Sequence, residues 1–325
     1  MDGTALIDAV NLAEDVLQAL VTGLLVGCIY ALMCTGLGLI FGIMRVINFA
    51  QGEFLMIGMY LSLYLSAALG IQAVLGGELG PFAVAILAGP IVFVFGVIVH
   101  RLLLAPAAAR RDNRRGRKVH YAQLILTLGL TLILQNGAML LFGAEPRSIP
   151  TPASSHAWEI GPLVGEDLTI FVNHARLYAA IISIVIAVAL FAFVGRTRTG
   201  KALRAASDNR VAAGYVGIDV TRVHGIAFGL GCGVTAIAGG CIATYLPMQP
   251  YVGVDFIVVM YAGVVLGGLG RVHGAFWGGL VIGVVQQMSS LILPLQLENT
   301  AVFVVFLGLL LLRPQGLFGR ATERT

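Results

Sequence analysis

Nine long apolar stretches, separated by polar and glycine-rich breaks, run along the chain at about 17–41, 49–69, 81–104, 121–142, 177–195, 223–246, 252–270, 275–293 and 299–312. An apolar run of roughly 20 residues is long enough for an α-helix to cross a bilayer. The pattern predicts an all-α membrane protein, a polytopic helical bundle of about nine spans forming a single domain over residues 1–325. The last stretch is short, and a count of eight or ten spans follows if a weaker segment is re-entrant.

Composition agrees with lipid as the solvent. Hydrophobic residues make up 58% of the chain, charged residues only 11%, and 42 positions are glycine. A soluble protein carries about 25% charged residues. Met1–Asp15 holds Asp2, Asp8, Glu14 and Asp15 where a cationic n-region belongs, so no cleaved signal segment is expected. Cys28, Cys34, Cys232 and Cys241 all sit inside apolar stretches without metal-ligand spacing, and read as small core residues.

Charge then sets the orientation. With the N-terminus outside, 18 of the 20 Lys and Arg fall on the inner side, leaving only Arg147 and Arg176 outside. The expected location is a bacterial inner membrane, multi-pass, with a periplasmic N-terminus and a cytoplasmic C-terminus. The loops so assigned are a basic cytoplasmic one at 105–120, a periplasmic one at 143–176 and a second cytoplasmic one at 196–222. The net charge of +4 does not point to nucleic acid, because its distribution follows this topology. The run Arg110–Lys118 reads as a solvated anchor of topology, with a nucleic-acid or anionic-lipid patch as the other candidate. The segment Gly143–Arg176 is net acidic, holds Pro146, Pro150, Pro152, Pro162 and Trp158, and is long for a passive connection. Both a cap over a pore mouth or partner contact and a plain loop stay open for it.

Glycine spacing suggests how the spans pack. Helices in lipid associate through close backbone approach at small residues. Gly225, Gly229 and Gly233 recur at four-residue spacing, as do Gly263 and Gly267, Gly274 and Gly278, and Gly279 and Gly283. Gly267, Gly268 and Gly270 precede Arg271 and are expected in a flexible turn, either a hinge or a simple connection.

Polar residues within the spans are few. Asn48, Gln51 and Glu53 interrupt an apolar run, and a carboxylate in lipid is a functional candidate by default. If Gly52 breaks the helix, all three reach one cavity and line a translocation pathway. The other reading puts Glu53 at the interface, capping a helix or pairing with Arg45. The pairs Gln135–Asn136 and Gln286–Gln287 read as interhelical hydrogen bonds.

The loop 196–222 is basic, built of short helix-forming pieces and broken by Gly200, Gly214 and Gly217. A channel has little use for such a platform, whereas a pump driven by a separate motor needs one. Asp208 is expected to cap a short helix that Gly217 ends. Gly195–Lys201 fits most of a phosphate-binding loop, but Ala202 replaces the hydroxyl that holds Mg²⁺ and an apolar span replaces the preceding strand. With no zinc motif or nucleophile elbow either, no catalytic chemistry and no cofactor are expected in this chain.

Four stretches resemble one family: Gly23–Tyr60 with INFAQGE, Ala205–Gly217, Ala262–Gly283 with LGGLG followed by GAFWGGLVIG, and the tail Leu311–Arg320. In combination they are similar to permease subunits of bacterial high-affinity branched-chain amino acid ABC importers, over most of residues 17–320. The resemblance implies a type II importer permease fold and a second, homologous (LivM-like) membrane subunit. It also implies two cytoplasmic ATPase subunits that carry ATP and Mg, and a periplasmic substrate-binding protein. It further implies that Arg204, Ala205, Asp208, Asn209, Ala213 and Gly217 form the element that couples to an ATPase. Gly267, Gly268, Gly270, Gly274, Gly278 and Gly279 are the expected hinge and packing residues. Family members also move urea, short amides and small aromatic acids, so the solute stays open. A self-sufficient secondary transporter or channel is the alternative of another class, although Glu53 is its one convincing ion-coupling group.

Overall fold

The computed structural model describes residues 3–109, 117–161, 169–294, 297–313 and 315–318. Residues 110–116 of the basic run, Pro162, Pro314 and residues 319–325 lie outside this set. In chain order the elements are α1 (Gly3–Met44), α2 (Gln51–Leu69), α3 (Ile71–Val99), a π-helical turn (His100–Leu104), α4 (Ala105–Ala109), α5 (Arg117–Phe142), α6 (Pro152–Ser155), β1 (Ala157–Ile160), β2 (Ile170–Asn173) and α7 (His174–Arg196). They continue with α8 (Arg198–Asp208), α9 (Arg210–Tyr215), α10 (Val220–Ile242), α11 (Val252–Gly267), α12 (Val272–Ser289) and α13 (Glu298–Leu312).

Each predicted apolar stretch coincides with a helix. Six of these helices, α1, α2, α3 with its continuation, α5, α7 and α10, are long and apolar enough to cross a membrane. The helices α11 and α13 are shorter, at 16 and 15 residues. On α3 the residues Ile86, Leu87, Ile91, Val94 and Ile98 are exposed, as are Ile125, Leu132 and Ile133 on α5 and Ile181, Val185 and Val188 on α7. Continuous apolar surface of that extent is unstable in water and matches a lipid environment. The chain is an all-α, multi-pass membrane bundle.

At its centre stand α1 and α10. Val223–Ile242 is buried almost without interruption, and so is α1 from Val26 to Leu39. Small residues make this possible. A Cβ on Gly279 would lie 2.6 Å from Ala31 Cα, and one on Gly27 2.7 Å from the Leu280 carbonyl, so α1 and α12 touch main chain to main chain. On its other side α1 meets α10, where a Cβ on Gly36 would lie 2.7 Å from the Gly231 carbonyl. At such separations dispersion and weak Cα–H···O contacts replace the hydrophobic drive that lipid removes. Asn136, expected to bond between helices, instead donates to the Leu132 carbonyl of its own helix at 2.8 Å.

The described residues of the 143–176 segment form a small lobe. After α6, β1 and β2 pair antiparallel, with Trp158 opposite Val172. Arg147 exchanges two main-chain hydrogen bonds with Met248 (2.9 and 2.7 Å), and its guanidinium donates to the Tyr64 hydroxyl and the Phe142 carbonyl, both at 2.9 Å. The Gln18 amide accepts from Phe171 N–H and donates to Phe171 C=O, each at 2.9 Å, which stitches α1 to the outer strand. At the other end of α1, the Arg45 guanidinium donates to the Ser207 carbonyl at 3.5 Å.

Candidate functional site

At the start of α2 the amides of Asn48 and Gln51 are fully buried. Asn48 Oδ1 accepts from Ala50 N–H (3.2 Å), and its Nδ2 donates to Gln51 Oε1 (2.9 Å). Gln51 Nε2 then donates to the Gly231 carbonyl (3.1 Å) and the Thr235 hydroxyl (2.6 Å) on α10. Gln51 thus holds α2 to α10, while Asn48 orients the Gln51 amide and closes the turn before α2. Helix α2 runs unbroken through Gly52, which serves as a crossing point: a Cβ there would run into the Gly253 main chain of α11.

Glu53 differs from its two neighbours. It is 1% exposed, makes no side-chain cap, and has no ion-pair partner among the described residues. Its Oε2 is buried without a hydrogen-bond partner. An unpaired carboxyl oxygen at this depth is costly, which keeps Glu53 a functional candidate in its own right.

The glycine-rich block divides between two duties. Gly268 (φ +99°) and Gly270 (φ +91°) make the turn between α11 and α12, a backbone shape that side chains resist. Gly267, expected in that turn, is the last residue of α11 and packs against the Gly274 main chain. Gly278 packs on Gly263 and Gly267, and Gly279 on α1.

Below the bundle, α8 and α9 form the platform. Thr197 caps α8 by accepting from Gly200 N–H at 3.0 Å. Gly200 has no room for a side chain, since its Cβ would meet the Phe193 and Val194 carbonyls at the α7–α8 corner. Gly195–Lys201, the near-match to a phosphate loop, is this corner: the end of α7 and the first turn of α8. Leu203 and Ala206 bury one side of α8 in the core, and Arg204 donates to the Gly195 carbonyl at 3.0 Å. Ala205 accepts from Asn209 N–H at 3.1 Å, closing α8.

The cap of α9 is Asn209, not the expected Asp208. Asn209 Oδ1 accepts from Val211 and Ala212 N–H, both at 3.0 Å, whereas Asp208 is the last residue of α8. Two adjacent side chains have capping chemistry, and the point where α8 stops decides which one is used. Gly217 (φ +83°) ends α9 as expected, with Ile218 N–H donating to the Ala213 carbonyl at 3.0 Å. Ala213 faces inward, and what α9 and the residue after it present outward is Val211 (63% exposed), Tyr215 (87%) and Val216 (76%). Sequence reasoning missed these three. Their signal was an apolar i, i+4, i+5 set on a short helix flanked by Arg210 and Asp219.

On the opposite face a cavity of about 310 Å³ lies between α1, α7 and the lobe, lined by Gln18, Thr22, Ser154, Asn173, Arg176 and Tyr245 among others. The Arg176 guanidinium sits 5.8 Å from the centre of the Tyr245 ring, a cation–π arrangement at the cavity wall.

A family model described as the permease component of the branched-chain amino acid transport system matches residues 19–313. The chain is 30% identical to the high-affinity branched-chain amino acid transport system permease protein LivH of Escherichia coli (strain K12), over 94% of its own length and 96% of that protein. It is 29% identical to the corresponding permease protein BraD of Pseudomonas aeruginosa, with the same shares covered. A probable branched-chain amino acid transport permease protein LivH of Methanocaldococcus jannaschii is 26% identical, over 89% of the chain and 88% of that protein. Among solved structures none matches.

Proposed function

Since the chain belongs to the branched-chain amino acid transport permease family, and is a transport subunit rather than an enzyme, we propose that it is the membrane subunit of an ATP-driven importer in a bacterial inner membrane. The solute is a small zwitterion, a branched-chain amino acid. The N-terminus and the β1–β2 lobe face the periplasm, and the platform and C-terminus face the cytoplasm, as the distribution of basic residues supports.

The observation that carries this reading is the α8–α9 platform. It is clamped to the bundle by Leu203, Ala206 and Arg204, yet exposes Val211, Tyr215 and Val216 at its tip. Apolar side chains held rigidly at an aqueous surface await a partner. That partner is a cytoplasmic ATPase supplying ATP and Mg²⁺, with two ATPases per importer. A second homologous permease completes the passage, and a periplasmic binding protein delivers the solute at the cavity around Arg176. Its guanidinium suits a carboxylate. Glu53, beside the α2–α11 crossing, borders the path that opens when the bundle rocks; Asn48 and Gln51 hold its rim.

Reconstituted vesicles test this. With both permeases, the ATPases and the binding protein, leucine uptake should require ATP. Uptake by this chain alone without nucleotide would replace the proposal with a self-sufficient carrier. A cysteine at Tyr215 should react only with reagents on the cytoplasmic side, and labelling from outside would invert the topology.

A further inference from the structure

On the face that carries the lobe, three side chains from distant parts of the sequence converge. They are Glu78 on α3, His156 between α6 and β1, and His174, the first residue of α7. One ligand atom from each lies within 4.8 Å of the other two. His156 Nδ1 is 3.5 Å from Glu78 Oε1. In a tetrahedral site with bonds of about 2.1 Å, neighbouring donor atoms sit roughly 3.4 Å apart. One edge therefore already has the spacing of a coordination sphere.

The surroundings prepare these groups. Gly76 (φ +78°) breaks α3, so that a fresh helical turn presents Glu78. Pro152 of α6 leans on Gly77, where a Cβ would lie 3.2 Å from Pro152 Cδ. The two histidines are joined through the backbone, His174 N–H donating to the His156 carbonyl at 3.1 Å. The His174 ring is held edgewise by Trp158 at 4.9 Å. Both of its nitrogens are buried, and neither finds a hydrogen-bond partner among the described residues. Buried imidazole nitrogens are normally engaged, so this ring is held in place with its chemistry unspent. The side chains of His156 and Glu78 are 61% and 41% exposed, which leaves the cluster reachable from solution.

We infer that Glu78, His156 and His174 form a binding site for a divalent transition metal of the zinc class, with the fourth position left to water. Two imidazoles and one carboxylate select Zn²⁺, Co²⁺ or Ni²⁺ over Mg²⁺ and Ca²⁺, which prefer oxygen donors throughout. A bound ion would fasten α3 to the lobe and to α7. Ser154, Ala157 and Asn173, close in sequence to the two histidines, line the cavity beside α1. The metal would thereby fix one wall of that cavity.

Cobalt titration of the untagged full chain in detergent tests the assignment. One Co²⁺ per chain should bind, with the intense visible bands of a four-coordinate ion, and Zn²⁺ should displace it. His156→Asn, at a largely exposed position, and Glu78→Gln should each weaken binding by at least about tenfold, the scale on which even supporting groups of metal sites act. Zn²⁺ should raise the thermal midpoint of the wild type and not that of the His156→Asn/His174→Gln double variant. Absence of saturable binding, or equal affinity in the double variant when its chromatographic profile matches the wild type, would overturn the site.

Discussion

Gln51 and Thr235, 184 residues apart in sequence, meet across the α2–α10 interface with the Gln51 amide donating to the hydroxyl at 2.6 Å. Both are fully buried, and the same amide holds Asn48 and the Gly231 carbonyl. Gln51→Leu leaves the Asn48 Nδ2 without its acceptor and strips a donor from two α10 oxygens. Each buried group left unpaired costs about 1–3 kcal/mol. The variant should lose at least that much in denaturant unfolding of the micelle-bound chain, and Thr235→Val should lose less.

Glycines on the central helices and on the lipid-facing α5 should respond in opposite ways. Gly279→Leu forces a side chain against the Ala31 backbone, so the folded fraction in membranes should fall severely. On α5, by contrast, a Cβ added to Gly137 would meet nothing within 4 Å. Gly137→Ala should be neutral or stabilise by about 0.5–1 kcal/mol through helix propensity. Fluorescence-detected size exclusion of the two variants separates these outcomes.

The Asn209 cap gives a conservative test of the platform. Asn209→Ala should destabilise α9 by about 0.5–2 kcal/mol, and Asn209→Asp should restore most of it. Asp208→Ala should leave amide exchange of Val211 and Ala212 unchanged, because their acceptor is Asn209.

Tyr215 and Val216 stand clear of the chain's own core, so Tyr215→Asp with Val216→Asp should not shift the thermal midpoint. ATP-driven uptake should nonetheless fall by about tenfold or more, and ATPase subunits should no longer co-purify. A tenfold loss corresponds to about 1.4 kcal/mol of contact energy. By contrast Leu203→Ala, at a fully buried position, should cost about 2–5 kcal/mol of stability.

The long helices were legible because an apolar run of bilayer length is a local property of the sequence. The tight crossings were legible in kind, since four-residue glycine spacing has one common use in lipid, although Gly267 moved from the turn to the crossing with Gly274. What the sequence hid is non-local. Nothing near Gln51 names Thr235 as its partner, and the cap at Asn209 rather than Asp208 depends on where α8 ends. The four-residue strands β1 and β2 are too brief to leave a periodic signal. The gathering of Glu78 with His156 and His174 is visible only once the lobe is folded onto α3.

One helix reaches both ends of the molecule without a joint. From Gln18, bonded to Phe171 of the lobe, to Met44, next to the Arg45 that bonds Ser207 of α8, α1 rises about 39 Å. An unbroken helix moves as one body, so a load placed on the outer strand would reach the far tip as translation or tilt of the whole rod.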